Sequence, residues 1–445
     1  MNQEFRNKLL MTLLIAAAAV TVNGCSAMSP ATAKETVTPP ATVISANAES
    51  MESAIRFLED RVRRDPEDFI AYNKLAAYYL QRQRETGSVN YLTLAAKAAR
   101  ASLSVMPAEQ NVGGLAGLTT VEFAAHEFVS ARDHALKLID LERKKSYPYE
   151  MLGDALNELG DYDKATTAYA KMAEIGGRSV SIETRLARAD LLRGKADGAV
   201  ERLTFALALA SAQQPPARET VAWIRWQLGE IAYSTGDYTK AEQHYRDALT
   251  TFPDYYRALA GLGRALAAKG DLPNAIANYE RAIRVIPDPS FVAALGDLYQ
   301  LAGRDQEAAA QVALVEQIGK LNVANGMLYN RQLALFYADH DLKPDDAYAQ
   351  AAREYGDRRD IYGADAVAWT ALKAGKTTEA QAAIKEALRL GTRDARLLYH
   401  AGMIALAAND QQAARDYLRR ALALSPQFDL LQAARAKQAM QALGE

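Results

Sequence analysis

The sequence is poor in several features that would point to a particular class of protein. It has a single cysteine, Cys25, among 445 residues, so no disulfide bond can form within the chain. Lysine and arginine together number 52 against 54 acidic residues, and the net charge is -2. No strongly basic stretch stands out, so nucleic acid is not an expected partner. Only 14 prolines occur, which suits a largely helical body.

The N-terminus carries an apolar run that is too short to cross a bilayer as a helix. This run, from Leu9 to Val22, follows the cations Arg6 and Lys8, which is the organisation of a secretory signal peptide. It ends in the letters VNGC, of which the last is Cys25. This ending resembles a bacterial lipobox, in which the cysteine is lipidated and becomes the mature N-terminus.

The lipobox resemblance implies that residues 1–25 are a signal peptide and that Cys25 carries lipid, palmitate included. Ser26 follows the cysteine where aspartate would favour inner-membrane retention, so the resemblance implies an outer-membrane anchor facing the periplasm. The alternative is ordinary signal-peptide cleavage, which leaves a soluble exported protein. Residues 26–49 are rich in Ala, Thr, Ser and Pro with almost no charge, and they predict a disordered tether.

From about residue 50 onward, one period of 34 residues organises the chain. The segment GDYTKAEQHYRDALTTFP at 236–253 returns as GDLPNAIANYERAIRVIP at 270–287. A period of this length is typical of helical-repeat proteins, which bury their core between neighbouring units and offer a long surface to partners. We therefore expect binding, rather than catalysis, to be the activity of this chain.

The residues of each period resemble the tetratricopeptide repeat, a helix–turn–helix motif. Small residues such as Gly229 and Ala241 let two helices approach, Tyr245 fills the gap beside them, Gly236 ends the first helix and Pro253 stops the second. The resemblance implies an all-α, right-handed superhelical solenoid of antiparallel helix pairs. About ten repeats are predicted within residues 50–426.

Both ends of the array are predicted to be capped. A truncated unit precedes residue 66, and a C-terminal capping helix is predicted within 427–445. In this last helix Ala433, Ala436 and Met440 are expected to face the core, while Gln432 and Arg435 are expected to face solvent. The 34-residue step breaks between residues 317 and 329, where we expect a bend or a change of pitch.

In the tetratricopeptide family the first helix of each unit lines a concave groove, and the register implies which side chains point into it. The predicted groove residues are Trp223, Trp226, Glu230, Tyr233, Arg257, Arg264, Tyr362, Trp369, Arg396 and Tyr399. All three tryptophans of the chain are among them. Large aromatic side chains can anchor a peptide because they bury much area at a small entropic cost. The alternative for each of them is packing against neighbouring helices.

The resemblance implies a protein-interaction scaffold or assembly factor in the bacterial cell envelope, with partner polypeptides bound in the groove. The groove lacks the ordered Lys/Asn/Asn/Lys/Arg set by which some family members clamp a peptide C-terminal carboxylate. The alternative function is a glycan-binding module, because tryptophan and tyrosine rings also stack on sugars. An acidic glycan would then use Arg188, Arg257 and Arg264 as additional ligands.

No motif in the sequence supports catalysis. The letters HEFVS at 126–130 begin like a zinc-protease helix, but Ser130 stands where the second histidine is required. The run from Asp339 to Asp341 is typical of a solvated helix end rather than of a metal site. We therefore expect no enzymatic activity, no cofactor, no metal and no small-molecule substrate.

Overall fold

The structure, a computed structural model, describes residues 42–324 and 331–444. The predicted signal peptide, the lipidation site Cys25, residues 26–41 of the predicted tether and residues 325–329 of the predicted break lie outside these ranges. By its contacts the chain divides into the units Met1–Ser50 and Met51–Glu445. The repeats all belong to the second unit.

The described part of the chain contains 22 α-helices and no strand. Helix α1 (Thr42–Arg64) precedes ten antiparallel pairs, which we number as repeats 1 to 10, and helix α22 (Gln432–Ala442) follows them. The pairs are α2 and α3 (Phe69–Thr86, Val89–Val105), α4 and α5 (Val112–Ala124, Phe128–Leu141), α6 and α7 (Tyr147–Glu158, Tyr162–Gly176), α8 and α9 (Val180–Leu192, Ala196–Ala212), α10 and α11 (Arg218–Ser234, Tyr238–Thr251), α12 and α13 (Tyr256–Ala268, Leu272–Val285), α14 and α15 (Pro289–Leu301, Asp305–Ala324), α16 and α17 (Arg331–Asp339, Pro344–Asp357), α18 and α19 (Ile361–Lys373, Thr377–Ala387), and α20 and α21 (Ala395–Ala407, Gln411–Leu424). The predicted all-α array of about ten repeats is confirmed.

Helix α1 begins earlier than the sequence predicts. It starts at Thr42 and so includes residues 42–49, which the composition assigns to the tether. The last prolines before it are Pro39 and Pro40, and no residue from 42 to 49 is a proline or glycine that would oppose a helix. Among the described residues, no helix combines the length and the apolar character that a bilayer span requires.

The turns within the repeats follow the predicted chemistry. Gly236 and Gly270 adopt φ angles of 81° and 86°, a left-handed conformation that other residues reach only at a cost. The next residue, Asp237 in repeat 5, accepts a hydrogen bond from the backbone N–H of Lys240 at 3.0 Å and so caps α11. In repeats 5 and 6 the two helices are therefore separated by a glycine turn and an aspartate cap.

The packing of small residues against tyrosine rings also matches the prediction. A Cβ atom added to Gly229 or Gly261 would lie 2.5 or 2.6 Å from the Tyr245 ring, closer than real atoms approach. Gly263 meets the ring of Tyr279 in the same way. The glycines are thus required by the closeness of the first helices to the second helices.

In the C-terminal helix α22, one residue departs from the position that the sequence predicts for it. Ala433, Ala436 and Met440 are buried, as predicted. Gln432 is buried too, which contradicts its predicted solvent-facing position. Its side chain accepts a hydrogen bond from the Tyr399 hydroxyl at 2.7 Å and donates one to Asp339 at 3.0 Å, so these partners satisfy the amide inside the protein.

Within the unit Met51–Glu445, three hydrogen bonds join residues that lie far apart in the sequence, at similar separations. The Tyr162 hydroxyl bonds the backbone of Ile361, the Thr392 hydroxyl bonds the backbone of Leu192, and the Gln427 N–H bonds the Tyr238 hydroxyl. These partners are 199, 200 and 189 residues apart. The turns of repeats 3, 4 and 5 therefore pack against the loops that follow repeats 8, 9 and 10.

Candidate functional site

A cavity of about 320 Å³ lies between the first helices of the later repeats. Its lining comes from α10, α12, α14, α16 and α20, together with Tyr279 of α13, His340 directly after α16 and residues 428–430. The first helices thus form the walls, as the family resemblance implies. The residues before α22 reach the cavity because the loop after repeat 10 packs against repeat 5, where the Tyr233 hydroxyl donates to the Gln427 carbonyl at 2.7 Å.

Charged side chains on the cavity wall are mostly paired with one another. Arg264 contacts Glu230 at 2.6 Å, and Arg396 contacts Asp429 at 2.8 Å. Such partly buried ion pairs hold their side chains in fixed positions and leave little charge for a ligand.

His340 completes the paired groups of the wall. Its Nε2 lies 2.7 Å from Asp297 Oδ1, and its Nδ1 lies 2.8 Å from the Phe336 carbonyl oxygen. Both ring nitrogens therefore face acceptors, an arrangement that suits the doubly protonated imidazolium. Burial lowers the pKa of His340, but the hydrogen bond and charge of Asp297 outweigh it, and the pKa is raised above 6.5.

Arg257 differs from the other cations of the wall. Its guanidinium carbon lies 5.3 Å from the centre of the Trp226 ring and 5.2 Å from that of Tyr256, and the side chain is exposed. Within the ranges that the structure describes, it forms no ion pair with a carboxylate. A guanidinium that lies over aromatic rings can still offer N–H donors in its own plane to a carboxylate, and the side-chain hydrogen-bond partner that acts on Arg257 is the neutral Tyr256 hydroxyl.

The ten predicted groove residues fall into three groups. Those that line the cavity are Trp226, Glu230, Arg257, Arg264 and Arg396. Those that lie in the hydrophobic core are Tyr233, Trp369 and Tyr399, and Trp223 is half-buried against the core residues around it. Tyr362 is 40% exposed and lies outside the cavity lining. The sequence register thus brings half of the predicted set together at one site.

Trp369 shows why a groove position in the register does not guarantee exposure. Its ring stacks on His400, with centroids 4.3 Å apart, and its indole N–H donates to Asp339 at 2.8 Å. Tyr399 packs beside both rings and donates to Gln432. Trp369 and Tyr399 therefore pack against neighbouring helices, which was the alternative to partner binding, because the neighbouring first helices and α22 cover them.

The faces of the predicted groove aromatics are largely occupied by protein groups. Arg257 covers Trp226, and Arg264 lies 4.2 Å from the centre of the Tyr233 ring. Trp369 is stacked on His400. Sugar binding by stacking needs open aromatic faces, and of these three rings Tyr233 and Trp369 are buried, while Trp226 keeps part of its surface accessible at the cavity beside Arg257.

Several cavity residues were not identified from the sequence. They are Phe291, Leu335, Phe336, Asp339, His340, Phe428 and Asp429. Repeat 8 is poorly spaced in the sequence, so the register gives no groove positions for α16. The residues before α22 reach the cavity only through the contact between repeats 5 and 10, for which no local signal exists.

The two motifs considered for metal chemistry do not assemble a site. His126 has a φ angle of 64° and lies before α5 rather than within a helix. Within residues 42–324 and 331–444 no three histidine, cysteine or acidic side chains form a group that could hold a metal ion.

The antiparallel pairs and the cavity on their first helices define a helical-repeat protein of the binding type. Tetratricopeptide repeat models match residues 147–175, 178–254, 226–290, 261–319 and 367–427. These segments together span more than half of the chain. The chain therefore belongs to the tetratricopeptide repeat family.

Curated relatives are similar over short parts of their length. A probable biofilm formation methyltransferase, WspC of Pseudomonas putida, is 40% identical over 72 residues, which is 16% of this chain and 16% of that protein. Superkiller protein 3 of Schizosaccharomyces pombe is 26% identical over 202 residues, which is 41% of this chain and 14% of that protein. The chain thus spans at most 16% of the length of these relatives.

Among solved structures, yeast Tom70 has a TM-score of 0.38 and 14% sequence identity, and the match covers 90% of this chain and 94% of that one. This similarity concerns the helical-repeat fold alone.

Proposed function

We propose that this protein is a non-catalytic scaffold that binds partner polypeptides in the cavity formed by repeats 5 to 8 and repeat 10. The observation that carries the proposal is the cavity itself, which brings Trp226, Arg257 and Arg396 together on the inner helices. Its volume of about 320 Å³ suits a few side chains of a peptide rather than a folded domain. Family membership supports the same conclusion, because tetratricopeptide arrays serve protein interaction.

The polypeptide partner is favoured over a glycan by the state of the cavity walls. Arg188 and Arg264, two of the three arginines expected to assist an acidic glycan, are paired with Glu158 and Glu230. Together with the covered ring faces, this leaves few groups for a polysaccharide. A peptide can instead use the apolar side chains that remain half-buried on the wall, such as Phe291 and Leu335.

We further propose that the scaffold acts in the bacterial cell envelope, anchored through lipid at Cys25 to the outer membrane and facing the periplasm. Support comes from the sequence alone: the charged start, the short apolar run and the VNGC ending. Pilus assembly, outer-membrane assembly and polysaccharide export are the settings that the resemblance to repeat lipoproteins suggests.

Site-specific photo-crosslinking tests the binding proposal. A photoreactive phenylalanine analogue at Trp226, inside the cavity, is expected to capture one or a few envelope proteins. The same analogue at Phe57, which is 63% exposed on α1 and outside the cavity, is the matched control. Identical products from the two positions, or none from Trp226, would refute binding in the cavity.

Metabolic labelling tests the anchor. Cells that express the full chain should incorporate labelled palmitate into the protein, and Cys25→Ser should abolish the label. Retention of the label by this variant would show that Cys25 is not the lipidated residue.

A further inference from the structure

We propose that the cavity recognises an acidic side chain of its partner through Arg257, with an adjacent apolar side chain of the partner packed on Trp226 and Phe291. This inference rests on the proposed function and names the chemistry of the segment that is bound. It follows from the pairing of charges on the cavity wall.

Arg257 is the cation that the wall leaves available. Arg264 and Arg396 are each paired with a carboxylate, and His340 is paired with Asp297. In the described ranges Arg257 forms no such pair, although it is exposed at the cavity. A cation in this position gains a charge-assisted, bidentate hydrogen bond when a carboxylate enters.

Two acidic residues act on Arg257 electrostatically, but both are engaged elsewhere. The side chain of Asp288 caps α14 and accepts a hydrogen bond from the Ser290 N–H at 2.9 Å. Glu219 lies 3.6 Å from Arg84 of repeat 1. Neither carboxylate therefore neutralises the Arg257 guanidinium at contact distance.

The aromatic rings around Arg257 hold the guanidinium in place and add an apolar surface. The ring of Tyr256 contacts both the Arg257 guanidinium, at 5.2 Å from the ring centre, and the ring of Phe291, with centroids 6.2 Å apart. Phe291 and Trp226 are both half-buried at the cavity. A carboxylate that pairs with Arg257 thus brings the neighbouring side chain of the same segment against these rings.

Burial of an apolar side chain beside the ion pair also explains why a polypeptide segment fits better than an isolated anion. The rings exclude water from the carboxylate pair and strengthen it. A uronic-acid glycan offers the carboxylate but no apolar side chain to fill the space between Trp226 and Phe291. The ligand of the cavity is therefore a peptide segment that carries an acidic side chain next to an apolar one.

A positional-scanning library of capped, amidated hexapeptides is the probe for this inference. The wild-type protein should enrich aspartate or glutamate next to phenylalanine, leucine or tryptophan. Arg257→Gln should lose the preference for acidic residues, and the best acidic peptide should bind it about tenfold more weakly, as expected for the loss of one charge-assisted hydrogen-bonded pair. Arg257→Lys, which keeps the charge, should retain part of the preference.

Arg246→Gln is the matched control, because Arg246 is an exposed arginine on the second helix of repeat 5, outside the cavity. It should behave as the wild type, and all variants should keep the wild-type circular dichroism spectrum. An acidic preference that persists in Arg257→Gln overturns the inference, as does a wild-type preference for basic or uncharged peptides, or the binding of oligogalacturonate with no binding of any peptide.

The proposed function has a separate test, so the two failures can be told apart. If position 226 crosslinks to a partner but the peptides that the library selects contain no acidic residues, the scaffold proposal stands and the role of Arg257 is refuted. No crosslinking and no peptide enrichment would refute both.

Discussion

The phenol oxygen of Tyr162 accepts a hydrogen bond from the backbone N–H of Ile361, 199 residues further along the chain, at 2.8 Å. Tyr162 begins α7 and Ile361 begins α18. The first N–H groups of a helix have no hydrogen-bond acceptor within that helix. The Tyr162 hydroxyl of repeat 3 therefore serves as the acceptor for the first N–H group of α18 in repeat 9. Beside this contact, Arg358 Nε donates to Glu158 at 2.7 Å. Repeat 3 is thus joined by a neutral contact to the start of repeat 9 and by a charged contact to the loop between repeats 8 and 9.

Removing the Tyr162 hydroxyl should weaken this contact without disturbing either helix pair. Tyr162→Phe leaves the buried N–H of Ile361 without an acceptor, and we expect a loss of about 1 to 3 kcal/mol in the free energy of unfolding. Urea unfolding monitored by circular dichroism measures the loss. Tyr149→Phe is the control, because the Tyr149 hydroxyl bonds the Arg143 carbonyl at 3.2 Å on an exposed part of the surface. Equal stability of the two variants would show that the long-range contact contributes nothing.

Two turn glycines with similar backbone angles should respond differently to alanine. Gly160 and Gly270 have φ angles of 76° and 86°, so Ala strains the backbone at both, by roughly 1 kcal/mol. A Cβ at Gly160 would also lie 2.1 Å from the carbonyl oxygen of Arg359, whereas nothing lies within 4 Å of one at Gly270. Gly160→Ala should therefore lower the melting temperature clearly more than Gly270→Ala. Equal shifts in thermal melts would mean that the Arg359 loop moves away at no cost.

These glycines illustrate how much of the fold the sequence predicts. The 34-residue register correctly placed Gly229 against Tyr245, because that contact joins residues within one repeat, whose geometry the motif determines. Gly160 stands in repeat 3 where Gly236 stands in repeat 5, as the shared letters GDY show, but the register does not predict the approach of Arg359. That approach depends on small rotations between successive repeats, which add up over about six repeats and leave no pattern in a local window.

The cavity likewise combines residues that the 34-residue register predicts with residues that only contacts between distant repeats bring together. Trp226, Glu230 and Arg264 were predicted because α10 and α12 follow the register closely. Phe428 was not, because its loop reaches the cavity only through the contact with Tyr233 of repeat 5. The burial of Trp369 likewise depends on α22 and on the partner His400, which the register alone does not specify.

Two of the tryptophans at predicted groove positions, Trp226 and Trp369, should separate stability from binding. Trp369 is 1% exposed and bonded to Asp339, so Trp369→Ala should cost roughly 3 to 5 kcal/mol in the free energy of unfolding. Trp226 is half-buried at the cavity, so Trp226→Ala should cost less stability and should reduce the amount of partner that the protein captures from envelope extract. Urea unfolding and partner capture measure the two effects. A stability loss at Trp226 as large as that at Trp369 would place Trp226 in the core rather than at the site.

The Glu158 carboxylate should make the contact between repeat 3 and the loop before repeat 9 sensitive to acid. Burial raises its pKa, but the charges of Arg188 and Arg358 outweigh burial and lower the pKa to about 2, from 4.5. A depressed pKa contributes stability that is complete above about pH 4.5 and is lost as the pH falls toward 2. The contribution is at most roughly 3 kcal/mol, from 1.36 kcal/mol for each unit of pKa.

Comparison of the wild type with Glu158→Gln isolates this contribution from the other carboxylates. The variant should be less stable at pH 7, and the difference in the free energy of unfolding should shrink between pH 4.5 and 2, because the wild-type carboxyl then becomes neutral as well. Glu109→Gln is the control, since Glu109 pairs with Lys137 on an exposed surface at 2.8 Å and should change stability little at any pH. A difference for Glu158→Gln that stays constant from pH 7 to pH 2.5 would show that the charge of Glu158 does not hold the two repeats together.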